Sequence, residues 1–326
     1  MNQLKSFPSI ALVFGMLWLQ SCKGGYDEMT ISTFLEFEEI MVVEGSNLAQ
    51  ATGFLGSAEE GAIFVAYRQT YSGKHFSSER VIRYDLETGT PKSHFLNRED
   101  IYTKRLHIRN NELIVIGGSF LNTYSIDLED NLTSVIHGLS LERFGSALYN
   151  DEIYVWGGDI NAQISDKVYR WNEADQRFDT VATLPGPKTS AGGEIIDGRL
   201  YIFGGREDYE SNHIQDDIYI VDLATGSTAT QRLPGPVHQT FTVNNEGVIY
   251  VSGQSIDSYT YSKGINIFFG VYNPNLQVFK EFKTNLNDDG IHSVNAMTRI
   301  GNKIYILYGN AQDENASMSI MEAEIP

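Results

Sequence analysis

"YIFGGRED", residues 201–208, reads as a β-strand that runs into two glycines and a charged loop. Glycine is a poor strand residue, because it has no side chain to pack and the most backbone freedom to lose. A pair placed directly after Tyr201, Ile202 and Phe203 therefore needs a reason. The chain repeats the phrase as "LIVIGGSF" over residues 113–120 and "IYVWGGDI" over 153–160. Three such phrases predict a repeated structural unit.

Working outward, six apolar strands carry the same signature: "AIFVAYR" from Ala62, "ELIVIGG" from Glu112, "EIYVWGG" from Glu152, "RLYIFGG" from Arg199, "VIYVSGQ" from Val248 and "KIYILYG" from Lys303. Anchors set at residues 66, 117, 157, 204, 252 and 308 are 51, 40, 47, 48 and 56 apart. Periods of about 40–50 residues built from short strands point to a propeller. A small-residue strand and a polar turn precede each anchor, as in "FGSALYNDE" and "TFTVNNEG". A further strand follows and ends in an Asp or Asn turn, as in "YSIDLED" and "YIVDLATG", where the side chain is suited to cap its own backbone. A fourth strand then closes twice with "LPGP", at 184–187 and 233–236, where proline ends the ladder.

These residues resemble the kelch repeat, whose marks are an apolar strand, a glycine pair, then a Tyr and an aromatic or apolar residue. The third unit shows them as Gly157, Gly158, Tyr169 and Trp171; the fourth has Gly204, Gly205, Tyr219 and Val221. The second carries Gly117 and Gly118, while the first, fifth and sixth have Ala66-Tyr67, Ser252-Gly253 and Tyr308-Gly309. The resemblance implies an all-β, six-bladed kelch-type propeller with four-stranded blades over residues 31–326. The glycines are read as architectural, placed where backbones approach closely near the axis. The last unit supplies three strands before Pro326, so "ISTFLEFEEI", residues 31–40, is expected to complete it as the outer strand. That pairing would remove the open edge.

Residues 1–21 read as a leader, with Lys5 ahead of an apolar run from Ser9 to Leu19 that is too short to span a bilayer. "LQSC", residues 19–22, resembles the lipobox of bacterial lipoproteins, which implies a lipid on Cys22, a tether over 22–30, and a cell-envelope location, most simply the outer membrane. Cys22 is the single cysteine, so no internal disulfide is available to the domain. A formal charge of −18 argues against nucleic acid as a partner.

In four-stranded antiparallel blades, the second-to-third loops and the links between blades emerge on one side. Cations near the start of inner strands on that side, Lys104, Arg143, Lys188, His238 and His292, read either as a pocket for an anionic small molecule or as partners for loop carboxylates. The loop "REDYESNHIQDD", residues 206–217, adds Arg206, Glu207, Asp208 and His213 as a polar wall or an acid/base pair. Neither a cofactor nor a metal site is expected, and the sequence contains no HExxH, GxSxG, phosphate-loop or GxGxxG motif. The copper chemistry of galactose oxidase, a kelch enzyme, needs a cysteine that the domain lacks. Three readings stay open: a non-catalytic module binding a glycan or a protein through its loop face, an enzyme resembling N-acetylneuraminate epimerases that uses Glu207 and Arg206, and a pure scaffold.

Overall fold

The structure, a computed structural model, describes residues 34–43, 53–70, 77–96, 105–117, 122–129, 133–137, 141–160, 163–208, 214–255, 266–286, 292–310 and 318–326. The described residues form strands and turns without a helix. Six four-stranded antiparallel sheets form the blades of a closed propeller. The first strands are Gly53–Ser57, Arg105–Arg109, Gly145–Tyr149, Gly192–Ile196, Val237–Asn245 and His292–Ile300. The second strands are Ala62–Thr70, Glu112–Ile116, Glu152–Trp156, Arg199–Phe203, Val248–Ser255 and Lys303–Asn310.

Each second strand is a nearly continuous apolar run because both of its faces are buried. In the fourth blade, Leu200 and Ile202 pack with Trp156, Val168 and Ala147 of the third, whereas Tyr201 and Phe203 pack with Ile249, Val251 and Tyr272 of the fifth. Four of the six hairpins ahead of the second strands are two-residue turns with both residues left-handed, while the first blade uses the four residues 58–61. Asn110-Asn111, Asn150-Asp151, Asp197-Gly198 and Glu246-Gly247 all have positive φ, the two-residue turn that matches strand twist. Turns between third and fourth strands start at Asp85, Asp127, Asn172, Asp222 and Asn273, and in each the side-chain Oδ1 accepts backbone N–H bonds from two or three residues ahead.

The glycine pair fastens one blade to the next. Gly157 has φ of 61°, and a Cβ there would lie 2.1 Å from the Lys188 carbonyl oxygen; the Gly158 N–H donates to that same oxygen at 2.7 Å. In the next blade Gly204 has φ of 57° and a Cβ would meet Val237 O at 2.1 Å, while Gly205 N–H donates to it at 2.8 Å. The Lys188 carbonyl belongs to the link into the fourth blade and the Val237 carbonyl to the first residue of the fifth blade's first strand, so the close approach is at the blade junction. Gly117 also has positive φ, at 114°, and Gly118 lies outside the described residues.

The ladder corrects the anchor register. Counted from the hairpin, Ala66 and Ser252 are the fifth pair of their strands, level with Trp156 and Phe203. Tyr67 and Gly253 therefore stand at the glycine level, one residue later than the sequence anchors.

The ring closes in the sixth blade, in the order Glu38–Val43, Met318–Glu324, Lys303–Asn310 and His292–Ile300. The outer strand thus begins later than the expected segment 31–40. Phe34–Leu35 instead pairs in parallel with Lys283–Thr284 beside the fifth blade. The Phe37 ring packs tilted against Phe269 at 5.3 Å, and its main chain exchanges hydrogen bonds with the Asn285 side chain at 2.8 and 2.9 Å. That anchoring uses Leu35 and Phe37, which are both buried, and leaves Val43 to fill the sixth blade.

Candidate functional site

The entries to blades three, four and five each carry a left-handed residue: Arg143, Ser190 and Gln239 have φ of 50°, 55° and 48°. Successive links bond to one another, Ser190 N–H to Arg143 O at 2.8 Å and Thr240 N–H to Ser190 O at 3.2 Å. The kink breaks simple alternation along the link. Arg143 is the left-handed residue itself, His238 stands one place before Gln239, and Lys188 stands two before Ser190. Arg143, Lys188 and His238 thus occupy different places relative to the left-handed residue of their blade entry.

Their environments differ accordingly. Arg143 makes a two-pronged bond to Asp159, Nε–Oδ1 at 3.0 Å and Nη2–Oδ2 at 2.9 Å, with Glu142 at 3.6 Å. Lys188 is fully buried; its Nζ donates to Gly204 O at 2.8 Å and lies 4.0 Å from the Tyr219 ring centroid. Burial lowers its pKa to about 8, against the opposing pull of Asp217, Glu207 and Asp216. His238 is buried without a hydrogen-bond partner at either ring nitrogen, and burial, with help from Arg206, depresses its pKa to about 3. His292 stacks on Tyr308 at 5.5 Å.

In the 206–217 loop, Arg206 pairs through its main chain with Thr189 and Ile214. Glu207 Oε1 accepts from the Tyr219 hydroxyl at 3.4 Å, and the same carboxylate faces Lys188. Asp208 is half-buried, while His213 and Lys104 lie outside the described residues. Glu207 is thus part of the packing around Lys188. No group of three His, Cys, Asp or Glu side chains among the described residues is placed to hold a metal.

The structure adds a site that the sequence reading missed. First strands of all six blades line an axial cavity of about 410 Å³. Its polar side chains include Arg105, His107, Ser146, Glu194, Thr242 and Arg299. Arg105, on the second blade, reaches across the axis until its guanidinium carbon is 6.0 Å from the ring of Phe241 on the fifth, within cation–π range. Burial lowers the Arg105 pKa to about 10 and that of His107 to about 4, the latter assisted by Arg105. Burial raises Glu194 to about 8, opposed by the Thr242 hydroxyl and by Arg299. At neutral pH the lining therefore holds a cationic Arg105, a neutral His107 imidazole and a largely protonated Glu194 carboxyl.

The same side chains stitch the blades together near the axis. His107 Nε2 and Ser146 Oγ are 2.8 Å apart between blades two and three. Thr242 Oγ1 donates to Gly193 O at 2.9 Å, and Arg299 Nη1 to Asn245 Oδ1 at 3.0 Å. The Thr298 hydroxyl accepts from Gly56 N–H at 2.7 Å. The available signal was charge in inner strands that are otherwise small or apolar, "RLHIR" from Arg105 and "GGEII" from Gly192.

Comparison with known proteins gives a consistent fold and limited coverage. No family model matches the chain. It is 26% identical over 178 residues to kelch repeat and BTB domain-containing protein 1 of camelpox virus (strain CMS), covering 54% of this chain and 30% of the relative. The corresponding cowpox virus (strain Brighton Red) protein is 25% identical over 183 residues, covering 55% and 31%. The chain thus spans less than a third of the length of these curated relatives. Among solved structures, that of YjhT superposes with a TM-score of 0.59 at 10% identity, covering 85% of this chain and 95% of the other.

Proposed function

From this chain as a six-bladed propeller of the kelch-repeat type, we propose that it is a lipid-anchored interaction module of the bacterial cell envelope, held in the outer membrane and taking a protein partner on its loop face. One observation carries the reading. The second-to-third connections, up to the ten residues between Ser255 and Asn266, and the links between blades all leave on one side. The first-to-second hairpins on the other side are mostly two-residue turns. Variation in length and charge is thereby concentrated on one face of a rigid ring, as expected where a scaffold positions binding loops. Kelch propellers are typically protein-interaction modules.

The anchor is the second half of the proposal and rests on the leader and on "LQSC", residues 19–22, which lie outside the described residues. Replacing Cys22 with Ser is expected to move the chain from the membrane to the soluble fraction and to abolish labelling by a fatty-acid precursor. Retention of both would remove the anchor from the account. For the partner, photo-cross-linkers at Gln239 and Asp208 on the loop face are compared with others at Asn110 and Gly198 on the opposite face, in cells carrying the full chain. Adducts confined to the loop face support the proposal. Adducts of equal yield from the opposite face overturn it, and a positive glycan array with no protein adduct transfers the site to a glycan.

A further inference from the structure

We propose that the outer rim of blades five and six rests on the lipid leaflet that carries Cys22. The inference depends on the anchor reading above and adds to it the face of the domain that meets the membrane.

Outer strands of neighbouring blades splay apart, so their side chains meet water and are ordinarily polar, as in "RFDTVAT" of blade three and "TATQR" of blade four. One sector departs from that rule. Among the described residues, the large apolar side chains left exposed are Phe34, Ile40, Val42, Leu276 and Val278, which are 37% to 57% accessible. All five lie at the edge of blades five and six. Ile40 and Val42 stand on Glu38–Val43, the strand that ends the sixth sheet. Leu276 and Val278 stand on the last turn and the outer strand of blade five. Phe34 joins the two groups. It pairs with Lys283, five residues or about 16 Å along blade five from Val278, and the chain then runs within four residues into Glu38. Single exposed apolar groups are ordinary, whereas a set confined to one sector marks a contact.

The occupant follows from the covalent path. Phe34 is the first described residue, and twelve residue steps lead back from it to Cys22. Fully extended, those steps span at most ~40 Å, so a lipid on Cys22 tethers the ring by this sector. Charge narrows the choice of leaflet. Glu36, Glu38, Glu39 and Glu281 are exposed around the patch, against Lys280 and Lys283, so anionic headgroups are repelled and a zwitterionic surface fits. Depth is limited as well. An open strand edge cannot enter hydrocarbon, so the side chains reach the boundary between headgroups and acyl chains and go no deeper. Standing on its rim, the ring keeps the loop face clear of the membrane and open to a partner.

The test uses the lipidated full chain in vesicles of phosphatidylethanolamine and phosphatidylcholine with brominated acyl chains. Cys22 is the sole cysteine and its thiol is blocked by the lipid, so Val42→Cys, Val278→Cys or Arg177→Cys each offers a single thiol to a fluorescent dye. Arg177 is an exposed residue on the outer strand of blade three, across the ring from blade six. Dye at 42 and 278 should be quenched by the brominated lipid at least about twofold more than dye at 177, as expected for groups held at the acyl boundary. Adding Leu276→Glu should weaken the quenching at 42, and replacing part of the lipid with phosphatidylglycerol should not strengthen it. Equal quenching at all three positions, none at 42 and 278, no effect of Leu276→Glu, or stronger quenching with phosphatidylglycerol overturns the proposal. So does a disulfide between two Val42→Cys chains without quenching, which gives the patch to a second copy. Dye uptake by the wild-type chain would reveal a free Cys22 and remove the anchor reading together with the proposal; flat quenching while Cys22 is blocked removes the patch alone.

Discussion

Glu194→Gln should make the propeller more stable at high pH and leave it unchanged in acid. The argument is one of proton linkage. Burial raises the folded-state pKa of Glu194 from 4.5 to about 8, whereas the unfolded chain titrates near the ordinary value. Between those limits the native state holds a proton that the unfolded state has released, so stability falls as pH rises through this window. Below about 4.5 both states are protonated and the stabilisation is fully present; above about 8 it is gone. A shift of about 3.5 units, at 1.36 kcal/mol each, sets a ceiling of about 5 kcal/mol. Glu194 is only half-buried, facing the cavity, so solvent screening lowers the realistic figure to ~2 kcal/mol. Gln keeps the shape and cannot ionise. Thermal melts of both proteins from pH 4 to pH 9 should show the variant gaining roughly 4–8 °C over wild type across that span. His107 and His238, depressed to about 4 and 3, run the opposite way, adding stability as pH rises toward 6.5, but they are common to both proteins and cancel in the difference. A wild-type minus variant difference that stays flat across the series would show that Glu194 is an ordinary ionised carboxylate, and the electrostatic description of the cavity would fail with it.

Three other outcomes follow from the packing. Gly157→Ala and Gly204→Ala, each placing a Cβ 2.1 Å from a carbonyl oxygen, should cost at least about 3 kcal/mol in chemical denaturation. Gly198→Ala, with positive φ but open space around it, should lose only about 1 kcal/mol, and equal losses at all three would dismiss the junction argument. Removing residues 34–43 takes away the outer strand of the sixth blade together with buried Leu35, Phe37 and Val43, so the chain should melt well below the intact protein; an unchanged melting temperature would mean that the ring does not need its N-terminal strand. Thr242→Val deletes one bond between blades four and five, and about 1 kcal/mol of stability should go with it in urea titration.

The architecture was legible because two signals agreed in most units. An apolar run without alternation reports a strand buried on both faces, and a polar pair ahead of it reports a two-residue hairpin. Neighbouring detail was harder to read. The glycine level was displaced by one residue at Tyr67 and Gly253, since those units have no glycine pair to mark it. The closing strand was read early because Leu35 and Phe37 have the same apolar spacing as a strand, while their burial is against the fifth blade. The surroundings of Arg143, Lys188 and His238 are set beside left-handed residues at 143, 190 and 239 that a pattern of polar and apolar letters does not encode. Arg105 and Glu194 lie on different blades and share a cavity only once the ring has closed, so no local motif joins them.

The fastening between blades three, four and five joins an amide hydrogen to a carbonyl oxygen across glycine, and buried side chains at the blade entries, Lys188 and Thr240, bond to the main chain of the fourth blade. Freedom to vary at the mouth therefore falls to the exposed positions between these fixed ones, such as Gln239, where a new side chain meets solvent and leaves the seam between blades intact.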